Sequence, residues 1–289
     1  MKNAFFSGTC TALITPFLND QINFTMMERL LQRQIDAGIP AVVLGGTTGE
    51  SPTLSDTEKV ELYRRGKEFA GERIKIICGT GSNNTHHAIE LSVAAQNAGA
   101  DALLVVTPYY NKGNTDGLLM HYLSIANAVD IPVILYNVPS RTGVDLPVSL
   151  YKQLSKIPNI IGVKEAASDV VKIARIRNAC GDDFHIWTGN DDLTVPAMAL
   201  GAKGVISVLS NVVPTQTNEM TSAALNGNFD RAAKLQCKLL PLIDALFREV
   251  NPIPVKAAMR LCGFDCGICR LPLGPAGTET IATLSQMLQ

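Results

Sequence analysis

The chain has 289 residues, 46% of them hydrophobic, and a formal net charge of −1 at pH 7. That length supports a large core in one or two domains, and α/β barrels run this long as one. Balanced charge without a block of like charges argues against a nucleic-acid or anionic-membrane partner, and no apolar stretch is long enough to span a bilayer.

At the N-terminus, Lys2 and Ala4-Phe5-Phe6 are followed by Ser7, Gly8 and Thr9 with no clear cleavage site. No secretory signal is expected. From there the pattern alternates. Short β-branched runs at 9–14, 41–44, 75–78, 102–106, 132–136, 160–164, 185–188 and 204–208 read as strands. Most are continuous apolar runs, as strands buried on both faces should be. Amphipathic stretches lie between them. Those at 25–37 and 55–70 open with Thr25-x-x-Glu28 and Ser55-x-x-Glu58, both capping boxes. Gly38, Gly99, Gly181 and Gly201 sit where helices should stop.

After 208 the pattern turns helical, at 213–225, 229–250, 254–261 and 277–288. Eight β/α units imply a closed parallel (β/α)8 TIM barrel over 1–212, with a small C-terminal helical domain over 213–289. A doubly wound sheet would want a glycine fingerprint after its first strand, and none is present.

In a barrel of this kind the chemistry sits at the C-terminal ends of the strands. The second strand runs into Gly45-Gly46-Thr47-Thr48-Gly49-Glu50-Ser51. Its glycines let backbone approach a ligand, and its N–H groups and hydroxyls can hold a carboxylate. The fourth strand ends in Thr107-Pro108-Tyr109-Tyr110, and the fifth in Tyr136, followed by Asn137-Val138-Pro139-Ser140-Arg141-Thr142-Gly143. The sixth ends in Lys164, after Ile160-Ile161-Gly162-Val163.

Lysine is rarely buried. At the mouth of an apolar barrel, desolvation favours the neutral amine, which attacks carbonyl carbon to form a Schiff base. The Tyr136 phenol on the neighbouring strand could shuttle the proton. The structural alternative is an ion pair with Glu165 or another rim carboxylate. Arg141 offers a planar fork suited to a carboxylate, where a surface salt bridge is the plain reading.

Seven cysteines, an odd count in a chain this size, fit a reducing cytosol, so a cytoplasmic location is expected. Cys262, Cys266 and Cys269 have the CxxxCxxC spacing of some iron–sulfur enzymes. They follow the last strand, where a local cluster of small apolar residues is the favoured reading and no metal is expected.

GGTTGES, VTPYYN, YNVPSRTG, GVKEA and GVISVLSNVVP occur in that order at the strand ends. Together they resemble the pyruvate-dependent class I aldolase superfamily and, within it, the dihydrodipicolinate synthase family. The resemblance runs over essentially the whole chain. It implies a lyase without cofactor that condenses pyruvate with L-aspartate-4-semialdehyde in lysine and diaminopimelate biosynthesis. It also implies that Lys164 forms the Schiff base, that Thr47 and Thr48 hold the pyruvate carboxylate, and that Tyr136, Thr48 and Tyr110 relay protons. Tyr110 would come from a neighbouring subunit of a homodimer or homotetramer. Arg141 would bind the semialdehyde carboxylate, and Gly189 and Ile206 would line the pyruvate pocket.

Ser51, Asn83 and Tyr109 match a second site that binds L-lysine as a feedback inhibitor in some members. Asp56, Lys59 and His87 depart from that pattern, and the two cations imply weak or absent lysine inhibition. The alternative within the superfamily is an N-acetylneuraminate lyase or a 2-keto-3-deoxy sugar acid aldolase, which generally lack the arginine matching Arg141.

Overall fold

The computed structural model describes residues 4–288. In chain order the elements are β1 (Gly8–Ala12), a short antiparallel hairpin β2 (Phe17–Leu18) and β3 (Gln21–Ile22), α1 (Phe24–Asp36), β4 (Ala41–Leu44), α2 (Asp56–Ala70), β5 (Lys75–Gly79) and α3 (Thr85–Asn97). They continue with β6 (Ala102–Val106), α4 (Thr115–Asn127), β7 (Val133–Asn137), α5 (Pro139–Thr142), α6 (Val148–Leu154), β8 (Ile160–Glu165), α7 (Val171–Cys180), β9 (His185–Thr188), α8 (Thr194–Ala199) and β10 (Gly204–Ser207). The chain closes with α9 (Pro214–Leu225), α10 (Phe229–Leu246), α11 (Ile253–Leu261) and α12 (Thr278–Met287).

The eight strands read from the sequence are present and close into a parallel barrel, β10 pairing with β1 and β1 with β4. Alternation along each strand divides the core into two layers. One face carries Cys10, Ala12, Ala41, Val43, Ile77, Leu104, Ile134 and Ile206, clustered inside the barrel. The other, with Val42, Leu44, Ile76, Cys78, Leu103 and Leu135, packs in the larger cluster shared with the helices. Trp187 is buried in the inner cluster, stacked on Phe6 at 4.7 Å between centroids and donating its indole N–H to the Phe6 carbonyl.

Two local expectations change. The Ser55 capping box forms in both directions with Glu58. Thr25, however, lies inside α1, whose N-cap is Asn23, its side chain accepting from the Met26 N–H. A carboxamide two residues earlier does the job proposed for the threonine.

The first of the C-terminal helices also belongs to the barrel. Thr9 on β1 donates to the Thr217 carbonyl and pairs with the Thr221 hydroxyl at 2.9 Å. So α9 packs on β1 as the eighth helix of the ring, and α10 to α12 are the additions. No helix among the described residues is long and apolar enough to cross a membrane.

Candidate active site

The register of β7 with β8 sets Tyr136 directly beside Lys164. Both side chains belong to the barrel mouth and both are buried. The Lys164 Nζ lies 4.4 Å from the Tyr136 ring centroid, over its face. Gly189 leaves room for it, because a Cβ there would stand 2.9 Å from the Lys164 Cε.

The ion pair with Glu165 does not form. Successive strand residues point to opposite faces, and Glu165 turns outward. It accepts from Asn137 Nδ2 and from the Ala167 N–H on one oxygen and from the Tyr151 hydroxyl on the other, with Lys172 at 3.4 Å. Burial, with Glu165 beside it, pushes the Tyr151 phenol well up and keeps it a donor. Among the described residues Lys164 has no carboxylate within ion-pairing distance. Asp191, which feels the charge of Lys164, is a buried carboxylate whose Oδ2 accepts from the Val208 and Leu209 N–H groups. Burial raises the Asp191 carboxyl, while those hydrogen bonds and the positive charge of Lys164 hold it back.

The loop after β4 folds back on itself through Glu50 N–H to the Thr47 carbonyl and Ser51 N–H to the Gly46 carbonyl. Gly45 sits at φ +61°, and a Cβ on it would stand 2.9 Å from the Tyr63 hydroxyl. The structure separates the two threonines. Thr47 lines a cavity of about 280 Å³ together with Tyr136, Arg141, Gly46 and Tyr109. Thr48 is buried, and its Oγ1 accepts from Asn251 Nδ2 at 3.0 Å. Thr47 thus shares this cavity's lining with Tyr136, and Thr48 is not among the lining residues.

Arg141 extends from the short α5 and forms no ion pair among the described residues. One guanidinium N–H donates to the Asn251 carbonyl at 3.1 Å. Ile206 is fully buried in the inner cluster. Tyr110 is not brought to this site. It sits at φ +73° with 89% of its surface exposed and points away from the chain's own core.

Ser51, Lys59, His87 and Tyr109 line the same cavity as Tyr136, and Asn83 does not. Asn83 offers its carbonyl to Asn111 Nδ2 instead. Asp56 bridges the two side chains, 3.6 Å from the Lys59 Nζ and 2.8 Å from the His87 Nε2.

One cluster escaped the sequence reading. Glu50, at φ +57°, is buried and paired with Lys256 of α11 at 2.6 Å. Its other oxygen accepts the Arg270 N–H at 2.8 Å. Lys256 also donates to the Ile268 carbonyl and lies 4.2 Å over the Phe17 ring. Cys266 and Cys269 border this pair, and burial pushes their thiols up to about 11 and about 12. Both stay protonated, and among the described residues no group of three or more His, Cys, Asp or Glu could hold a metal.

The dihydrodipicolinate synthetase family model matches residues 5–289. The chain belongs to that family. The 4-hydroxy-tetrahydrodipicolinate synthase of Thermoanaerobacter sp. (strain X514) is 47% identical over 98% of this chain and 96% of its own. That of Acetivibrio thermocellus is 45% identical over 100% and 98%. The crystal structure of dihydrodipicolinate synthase from Aquifex aeolicus superposes with a TM-score of 0.96 at 43% identity, covering 98% of this chain and 97% of that one. Membership in the dihydrodipicolinate synthetase family makes the chain an enzyme, a lyase-type pyruvate-dependent synthase.

Proposed function

We propose that this chain condenses pyruvate with L-aspartate-4-semialdehyde to 4-hydroxy-tetrahydrodipicolinate through an imine on Lys164. The observation that carries the reading is a buried lysine that forms no ion pair among the described residues and faces a tyrosine ring at 4.4 Å at the barrel mouth. Its amine is a nucleophile for carbonyl carbon.

The amine adds to the pyruvate ketone, water leaves, and the imine withdraws electrons from the methyl group. Loss of a methyl proton gives the enamine, which attacks the aldehyde. The amino group of the semialdehyde then displaces Lys164 and closes the ring. The backbone N–H groups of the Thr47–Thr48 turn and the Thr48 hydroxyl suit the pyruvate carboxylate, and Gly189 and Ile206 border the same space. Tyr136 and Thr47, which share the cavity, move the protons. Tyr110 of a second copy completes the relay, which fits its outward exposure and makes the working form at least a homodimer. Arg141, with no ion pair among the described residues, grips the semialdehyde carboxylate. No cofactor is required, because the imine is itself the electron sink.

Turnover of pyruvate and L-aspartate-4-semialdehyde, followed through a coupled reductase as NADPH loss, tests the reading. Arg141→Ala should still trap pyruvate with borohydride but lose turnover of the semialdehyde by about a hundredfold, the scale of a charged hydrogen-bonded pair. Full turnover in that variant would mean the wrong second substrate, and the sugar acid aldolases would become the better choice. In the same assay millimolar L-lysine should inhibit weakly or not at all. The Lys59 ammonium and, when protonated, the His87 imidazole repel a cationic ligand. Strong inhibition at sub-millimolar lysine would refute that part.

A further inference from the structure

The residue that joins the two substrate grips comes from neither of their loops. Asn251, just before α11, reaches the barrel mouth from the C-terminal helices. Its side-chain Nδ2 donates to the Thr48 hydroxyl at 3.0 Å, and its backbone carbonyl accepts from Arg141 at 3.1 Å. The residue is 5% exposed. Its Oδ1 is buried and finds no hydrogen-bond donor among the described residues.

That last point separates a functional from a structural role. A buried amide held at one atom and unsatisfied at the other contributes little net stability, because the lone acceptor's desolvation offsets the bond that is made. A side chain kept for folding would be satisfied at both ends.

We propose that Asn251 is a positioning residue for the keto acid. This rests on the reading above that Thr48 helps hold the pyruvate carboxylate. A hydroxyl has one proton and two lone pairs. With Asn251 donating into one lone pair, the Thr48 O–H is left to donate, and its direction is fixed before the substrate arrives. The carboxylate then meets an aligned donor instead of a freely turning one. Arg141 is held through the Asn251 backbone carbonyl, so the two grips share one anchor but depend on different atoms of it.

The separation gives the test. Asn251→Ala removes the amide and keeps the carbonyl. The pyruvate concentration for half-maximal borohydride trapping on Lys164 should rise about tenfold, the scale of one hydrogen bond to a charged group. The KM for the semialdehyde should change less than twofold, and the melting temperature should hold or rise. Thr48→Val should give the same shift, and the double variant should be no worse than Thr48→Val alone, since the amide acts only through that hydroxyl. Asn251→Asp should be worse than Asn251→Ala, because a carboxylate there takes the Thr48 proton and repels the ligand.

Unchanged pyruvate trapping in Asn251→Ala would overturn the proposal. So would a parallel rise of both KM values with a lowered melting temperature, which marks a structural role. Wild-type protein that traps no pyruvate would overturn the Schiff-base reading itself, and this inference with it.

Discussion

Lys164→Ala should lower turnover by on the order of 10³-fold or more, since loss of a nucleophile alone can cost far beyond that. Borohydride trapping of pyruvate should vanish with it. The fold should survive, and the melting temperature should stay level or rise. Lys164 is buried and forms no ion pair among the described residues, so alanine removes a costly buried polar group without breaking a salt bridge. Lys164→Arg sharpens the point. A guanidinium stays protonated and cannot form the imine, so this variant should be as inactive as alanine and no more stable than the wild type. Residual trapping in either variant, seen by mass spectrometry of the reduced protein, would place the imine on another lysine.

The second large effect is on stability. Glu50 and Lys256 form a fully buried pair at 2.6 Å. Removing one partner strands the other charge, which typically costs about 3–5 kcal/mol. Lys256→Met should therefore lower the melting temperature by on the order of 10 °C. It should also raise the KM for pyruvate, because Glu50 belongs to the loop that carries Thr47 and Thr48. The double variant Glu50→Gln, Lys256→Met should recover most of the lost stability, since it leaves no unpaired charge and Gln still accepts from the Arg270 N–H. Strict additivity of the two losses would show that the pair does not act as a unit.

The barrel was legible because parallel strands covered on both faces must be apolar throughout. Runs such as Ala41–Leu44 and Ala102–Val106 have no polar interruption to misplace, and the remaining strand ends differ by a residue or two. The hairpin of β2 and β3 was not legible, because two-residue strands carry no period. Lys164 stood out because a cation ended an apolar strand. The same signal was present at Lys256, which falls among Ile253, Val255, Ala258 and Met259 on the buried side of α11, and it was overlooked there.

Pairing over distance is what a sequence does not display. Glu50 and Lys256 are 206 positions apart, and Asn251 meets Thr48 across 203. The different surroundings of Thr47 and Thr48 were hidden for a related reason. They are set by how the loop turns and by which neighbour arrives from the far end of the chain, not by the two residues themselves.

That far end has a consequence for biosynthesis. A ribosome that has released the eighth strand has delivered every strand of the closed sheet. The ties from Asn251, Lys256 and Arg270 to the Thr47–Ser51 turn are still unmade at that moment. The turn that carries Thr47 and Thr48 is therefore completed only by the residues that emerge last.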